Sequence, residues 1–190
     1  MLTEFVMIPI FFLISVFLFI RFKKEKSNVF VFMGQLVFLM YIFCLISVTF
    51  FDIPYQKELI RDYQKEGYGL AYNYIPFKSI KEIIEMNKEN FSVILRQIGG
   101  NLILLCPLGV YVPVAYEKFA NFKTFLVLII GTAVSIEVLQ FLVNTIITIQ
   151  YRSVDVDDSI LNVVGGCVGY MLHYMVKPFY KYAVSDEIRA

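Results

Sequence analysis

The 190-residue sequence predicts an all-α polytopic membrane fold, a bundle of about five transmembrane helices with an extracellular loop that carries short amphipathic helices. Three observations predict it. Hydrophobic residues make up 58% of the chain, above the roughly 45–50% of soluble domains. They are gathered into long runs at Phe5–Ile20, Val29–Phe51, Ile98–Tyr116 and about Phe125–Ile149, with a shorter fifth at Asp158–Val176. One substantial polar stretch, Asp52–Phe91, stands between the second and third runs. A helix of about 20 apolar residues crosses a bilayer core. Helices satisfy their backbone groups internally, as the lipid requires. The whole chain, 1–190, is expected to form a single membrane domain.

The first run opens on "MLTEF", acidic where a secretion signal is basic, and the basic cluster "RFKKEK" comes after it. That order describes an uncleaved span with its amino end outside. The short connections agree. Arg21, Lys23, Lys24, Lys26, Lys118, Lys123, Lys177, Lys181 and Arg189 all fall on one side, which the positive-inside rule assigns to the cytoplasm. The other side holds Arg152 and six basic residues diluted by acids in the longer Asp52–Phe91 segment. A net charge of +1 gives no sign of a nucleic-acid partner. Cys44, Cys106 and Cys167 lie in apolar runs without metal spacing and read as small apolar fillers. His173, the one histidine, reads as a packing residue near the inner end of the last helix.

In the polar segment, "PYQKELIRDYQKEGYG" reads as a short helix ending at Gly67 or Gly69, and Pro76 in "AYNYIPF" breaks helix again. "SIKEIIEMNKENF" has Ser79 and Glu82 at capping-box spacing. Its Ile80, Ile83, Ile84 and Phe91 can share one face, as in an interfacial helix. Tyr55, Tyr63, Tyr68, Tyr72 and Tyr74 suit a headgroup-level belt.

Polar residues inside membrane spans are costly and therefore candidates for function. The third span begins with Arg96, Gln97 and Asn101. The fourth carries Glu137, Gln140 and Asn144 on one face, and Asp155, Asp158 and Asn162 repeat that spacing at the fifth. With the third helix running inward, the fourth outward and the fifth inward, all of these fall in the outer half of the bundle. They are expected to line a polar cavity rimmed by Arg152, Asp155 and Asp158. The last helix is expected from about Val154, with Asp157 off the cavity face and solvated. Arg96 or Arg152 is expected to pair with Glu137 or Asp158. Gly165 and Gly169 permit close helix approach, while Gly100, Pro107 and Gly109 interrupt the third span and bend it. A purely structural role, polar residues holding helices in register, competes with the functional reading of each.

In these residues the chain resembles the VanZ-like family of bacterial membrane proteins. Arg152, Asp155, Asp158, Asn162 and Gly165, followed by Gly166, match its C-terminal signature, and Glu137 with Gln140 matches the preceding E-x-x-Q. Asn73, Pro76 and Phe77 match N-x-x-P-F, and Asn101, Pro107 and Gly109 match the N…P-x-G stretch. The likeness covers about residues 73–170. The family takes its name from a member conferring low-level resistance to teicoplanin, a glycopeptide that acts outside the cell on cell-wall precursors. The resemblance thus implies a multi-pass protein of the bacterial cell membrane that contributes to glycopeptide resistance or envelope homeostasis. Its partners would be membrane lipids and a lipid-linked cell-wall precursor or a lipoglycopeptide. It carries over no catalytic residue and no cofactor. The competing reading is a membrane-embedded enzyme acting on a phosphate-bearing lipid, with Asp155, Asp158 and Glu137 holding a divalent cation. No nucleophile stands beside a base to support it. A transporter would need a repeat that the chain lacks.

Overall fold

In the computed structural model, residues 3–25, 28–66 and 72–186 are described. Among them, five helical stretches are long and apolar enough to cross a membrane: Glu4–Glu25, Val29–Phe50, Phe91–Ala115, Phe122–Ile147 and Val156–Tyr182. The fold class expected from hydropathy is the one observed.

After a single 3-10 turn at Glu4–Met7, α1 (Ile8–Glu25) ends with Lys23 and Lys24 in its last turn, where cations suit the carbonyl end of a helix. α2 (Val29–Phe50) starts at Asn28, whose side chain accepts the Phe30 N–H at 2.7 Å. The two helices meet through aromatic rings, Phe22 stacked on Phe32 at 4.6 Å and Phe11 edge-on to Phe43 at 5.5 Å. No residue of α1 is buried, so nearly all of its surface is left for lipid.

The polar segment supplies α3 (Lys57–Lys65), β1 (Tyr72–Asn73) and α4 (Lys78–Met86). The expected ends at Gly67 or Gly69 and the belt tyrosine Tyr68 lie outside the described residues; α3 itself stops at Lys65. Two expectations for α4 are corrected. Its N-cap is Phe77, in the left-handed region at φ 64° with no capping side chain, so Ser79 lies inside the helix and forms no capping box. The turn after Met86 ends the helix before Phe91, which opens α5 and is exposed. Ile84 is exposed too, leaving Ile80 and Ile83 as the half-buried pair.

The third span is three short helices in line. α5 (Phe91–Ile94) passes through a wider π-type turn at Leu95–Gly99 into α6 (Gly100–Leu104), and α7 (Cys106–Ala115) comes after a break at Leu105. Pro107 sits in the first turn of α7, where its missing N–H has no partner to lose. The Tyr41 hydroxyl of α2 donates to the Leu104 carbonyl at this break. Gly109 is a packing residue rather than an interruption.

α8 (Phe122–Ile147) is capped by Asn121, whose side chain accepts from Lys123 and Thr124. β2 (Val154–Asp155) then pairs in parallel with β1, Tyr72 opposite Val154 and Asn73 opposite Asp155, before α9 (Val156–Asp186). The last helix therefore begins two residues later than expected, because Val154 and Asp155 are held extended by that pairing.

α9 is seated by its glycines. A Cβ on Gly165 would overlap the Leu102 carbonyl of α6, and one on Gly169 the Cys106 carbonyl of α7. A Cβ on Gly109 would overlap the Gly166 carbonyl, and one on Gly166 the Ile129 side chain of α8. Backbone thus packs on backbone, which is how spans associate when lipid is as apolar as the side chains. Leu105, Leu108 and Val112, with Phe125, Ile129, Ala133 and Ile136 of α8 and Tyr170 of α9, complete the core.

Candidate functional site

The site starts from a folded-back connection. α8 ends at Thr148 in the left-handed region (φ 60°), and the chain turns back along its own last turns. The fully buried Asn144 holds it there. Its Oδ1 accepts the N–H groups of Tyr151 (3.2 Å) and Arg152 (3.4 Å), and its Nδ2 donates to the Arg152 carbonyl at 2.8 Å. Three side chains then fasten this region to the end of α2. Gln140 donates to the Thr49 carbonyl at 3.0 Å, the Tyr151 hydroxyl to Phe50, and the Arg152 guanidinium to Phe51. Burial pushes the Tyr151 phenol above its ordinary value, keeping it a donor.

The aspartates do different work from one another. The Asp155 N–H donates to Glu137 Oε2 at 2.9 Å, while Asp155 Oδ1 accepts from Asn73 Nδ2 and the Asp157 N–H, both at 2.8 Å. Asn73 also turns its own loop, accepting the Ile75 N–H at 3.0 Å just before Pro76. Asp157 is 1% exposed. Its carboxylate accepts the N–H groups of Phe77, Ser79 and Ile80 at 2.5, 2.9 and 3.2 Å. It therefore caps α4 from another part of the chain, where a negative charge also suits the amide end of the helix. The expectation of a solvated Asp157 is corrected on that ground. Asp158 Oδ1 accepts from Asn101 Nδ2 at 2.5 Å, tying α9 to α6.

Arg96 and Asn101 of the third span, Glu137 and Gln140 of α8, Arg152 of the connection, and Asp158 and Asn162 of α9 line one cavity of about 270 Å³. Gln97, next to Arg96, lines it as well. Asp155 does not. It is drawn to Asn73 and faces two neighbouring hollows, one of about 410 Å³ beneath α4 and one of about 350 Å³ beside α8. Two polar atoms buried here lack any partner, Nε of Arg152 and Oδ1 of Asn162, the latter on a side chain 1% exposed.

The expected ion pair is absent. The salt bridges among the described residues are Arg21–Glu25, Lys65–Asp62 and Lys81–Glu85, all on the surface. Three of the four groups are engaged elsewhere, Arg152 by the Phe51 carbonyl, Glu137 by the Asp155 amide and Asp158 by Asn101, while Arg96 is exposed and meets neither acid. Among the described residues no three His, Cys, Asp or Glu side chains are arranged to hold a metal ion. The cation site imagined for Asp155, Asp158 and Glu137 fails because each is turned to a different bond.

His173 is buried far along α9, its ring tilted against those of Tyr170 (4.5 Å) and Tyr174 (4.0 Å), and its ring nitrogen meets the Tyr170 carbonyl. The three cysteines are free and line none of these hollows. The residue that sequence reasoning undervalued is Asp157; Gln97 lines the cavity as expected, whereas Asn144, expected there too, holds the connection instead. The sequence hid the role of Asp157 because Ser79 stood as the apparent cap of α4, and only the fold shows a phenylalanine at the N-cap that needs an acceptor from elsewhere.

Neither a curated protein nor a solved structure matches the chain. A family model described as VanZ/LLP1 does match, over residues 38–177. That stretch contains every cavity side chain and the loop clamped to it, and the protein is a multi-pass membrane protein belonging to the VanZ/LLP1 family.

Proposed function

We propose that this protein protects the bacterial envelope against teicoplanin-like glycopeptides, or sustains envelope homeostasis, through a polar cavity open to the outer face of the cell membrane. One observation carries the reading. The cavity lies at the end of the bundle where α2 finishes, while Arg21, Lys23, Lys24, Lys118, Lys123, Lys177 and Lys181 gather toward the opposite end. The positive-inside rule favours the basic end as cytoplasmic, which leaves the cavity facing the compartment where such drugs act. The ligands would be membrane lipids and either a lipid-linked cell-wall precursor or the lipoglycopeptide itself. The enzymatic alternative is the weaker, because the carboxylates it would use are separately bonded.

Two measurements test this. A membrane-impermeant thiol reagent, used on a cysteine-free background, should label a cysteine at the exposed Lys65 in intact cells and one at Lys24 only after permeabilisation. The reverse pattern refutes the outward cavity. Glu137→Gln and Asp158→Asn should each lower the teicoplanin inhibitory concentration toward that of cells without the protein, at normal membrane levels. Full protection by both variants removes the functional role of the cavity.

A further inference from the structure

We propose that the cavity binds a phosphate-bearing membrane lipid, its phosphate between Arg96 and Arg152 and one of its chains in the groove beside α8. The proposal rests on reading the cavity as the functional site and names the ligand that site takes.

Two guanidinium groups line a space of about 270 Å³, reaching it from different elements. Neither is neutralised. Arg152 spends one nitrogen on the Phe51 carbonyl and keeps Nε buried and unpartnered. Arg96 makes no hydrogen bond or salt bridge among the described residues, although Glu137 and Asp158 line the same space. The buried Arg152 Nε is a charged donor left costly without a partner, Arg96 is exposed at the mouth of the space with its fork open, and planar guanidinium donors match phosphate oxygens in pairs. The acceptor side is also incomplete, since Asn162 Oδ1 is buried on α9 with no donor. A ligand that meets both needs carries acceptors and at least one donor, as a phosphate followed by a hydroxyl or amine does.

The chain of the ligand has its own place. Glu137 lines the polar cavity on one side and, on the other, a groove of about 350 Å³ with Val134, Val138, Phe141 and Val156. Val134 and Val138 are each 49% exposed on a spanning helix, so the groove opens to the bilayer. A lipid can therefore slide in sideways, head toward the arginines, without leaving the membrane. A soluble anion would have no use for the groove.

The test is native mass spectrometry of the delipidated full-length protein in detergent, titrated with phosphatidylglycerol. Parallel titrations use phosphatidylcholine, which lacks the donor, diacylglycerol, which lacks the phosphate, and glycerol 3-phosphate, which lacks the chains. Phosphatidylglycerol should bind most tightly. Arg96→Gln, which removes no structural bond, should weaken it about tenfold, the scale of one charge-assisted hydrogen bond. Val138→Trp, filling the groove, should weaken phosphatidylglycerol and leave the weak binding of glycerol 3-phosphate unchanged. Equal binding of diacylglycerol, equal binding of glycerol 3-phosphate, or an Arg96→Gln protein that holds phosphatidylglycerol as tightly as the parent overturns the proposal. If Glu137→Gln abolishes drug protection while Arg96→Gln retains the lipid unchanged, this ligand is refuted and the functional cavity stands. If Arg96→Gln loses the lipid while the carboxylate variants protect fully, the ligand stands and the resistance role falls.

Discussion

The two ends of the chain are held by different physics. α1 and α2 touch through rings such as Phe22 and Phe32, and α1 buries no residue. The third span and α9 touch backbone to backbone at Gly109, Gly165 and Gly169 and lock the contact with the Asn101–Asp158 hydrogen bond, while α8 joins them where Ile129 meets Gly166 and holds its own connection through Asn144–Arg152. In lipid, ring contacts between helices replace similar contacts with acyl chains, so they discriminate little. Close glycine packing and buried hydrogen bonds have no equal substitute there. The polar cavity sits in the part of the molecule that has one arrangement available to it. The VanZ/LLP1 match likewise begins only at residue 38, inside α2.

Disruption should be most severe at the glycine seam. Gly165→Val puts a branched side chain onto the Leu102 carbonyl, backbone that cannot move aside without parting α6 from α9. Overpacking of this kind costs about 1–3 kcal/mol where neighbours can adjust, and more here. The expected result is loss of folded protein from the membrane fraction. Gly131→Ala on α8, where a Cβ meets nothing within 4 Å, should leave the melting temperature nearly unchanged. Equal behaviour of the two variants in a thermal melt in detergent would show that the seam is not what orders the bundle.

Much of this region was legible in the sequence because lipid simplifies the code. An Arg, Glu or Asp inside an apolar run is conspicuous, and spacings of three and four residues assign it to a helix face. That procedure recovers Glu137, Gln140, Asp158 and Asn162 with their directions. It works one helix at a time, however, and fails where the partner is remote. Asp157 bonds to backbone 77 to 80 residues away. Asp155 shares the helical spacing of Asp158, yet its position is extended because Asn73 pairs with it. The expected ion pair failed for a related reason: a backbone carbonyl and a backbone amide, invisible to side-chain spacing, had already taken Arg152 and Glu137.

A milder disruption comes at Asp157. Asp157→Ala removes the acceptor of three N–H groups and leaves the start of α4 without a cap. Hydrogen bonds to a charged group contribute about 1.5–3 kcal/mol, and a lost cap costs up to about 2 kcal/mol. The variant should melt lower by an amount on that scale. Trypsin should also cut faster after Lys78 or Lys81, since both lie on the released helix. Asp157→Asn keeps one acceptor oxygen and should fall between the two. Unchanged cleavage in the alanine variant would mean that α4 is seated by Ile80 and Ile83 alone.

The weakest response is expected at the other end, where contacts have lipid as a ready substitute. Phe22→Ala removes the ring stacked on Phe32 at 4.6 Å. An aromatic pair contributes about 0.5–1.5 kcal/mol beyond the area it covers, and in a bilayer the area itself is refilled by lipid. The loss should therefore be near the lower figure and confined to the α1–α2 contact. Lipid binding and the labelling of a cysteine at Lys65 should stay as in the parent, because neither helix end that meets the cavity is touched. A drop as large as that of Asp157→Ala, or a loss of lipid binding, would mean that α1 braces the cavity from outside the matched region, and that the two ends of the chain are one cooperative unit after all.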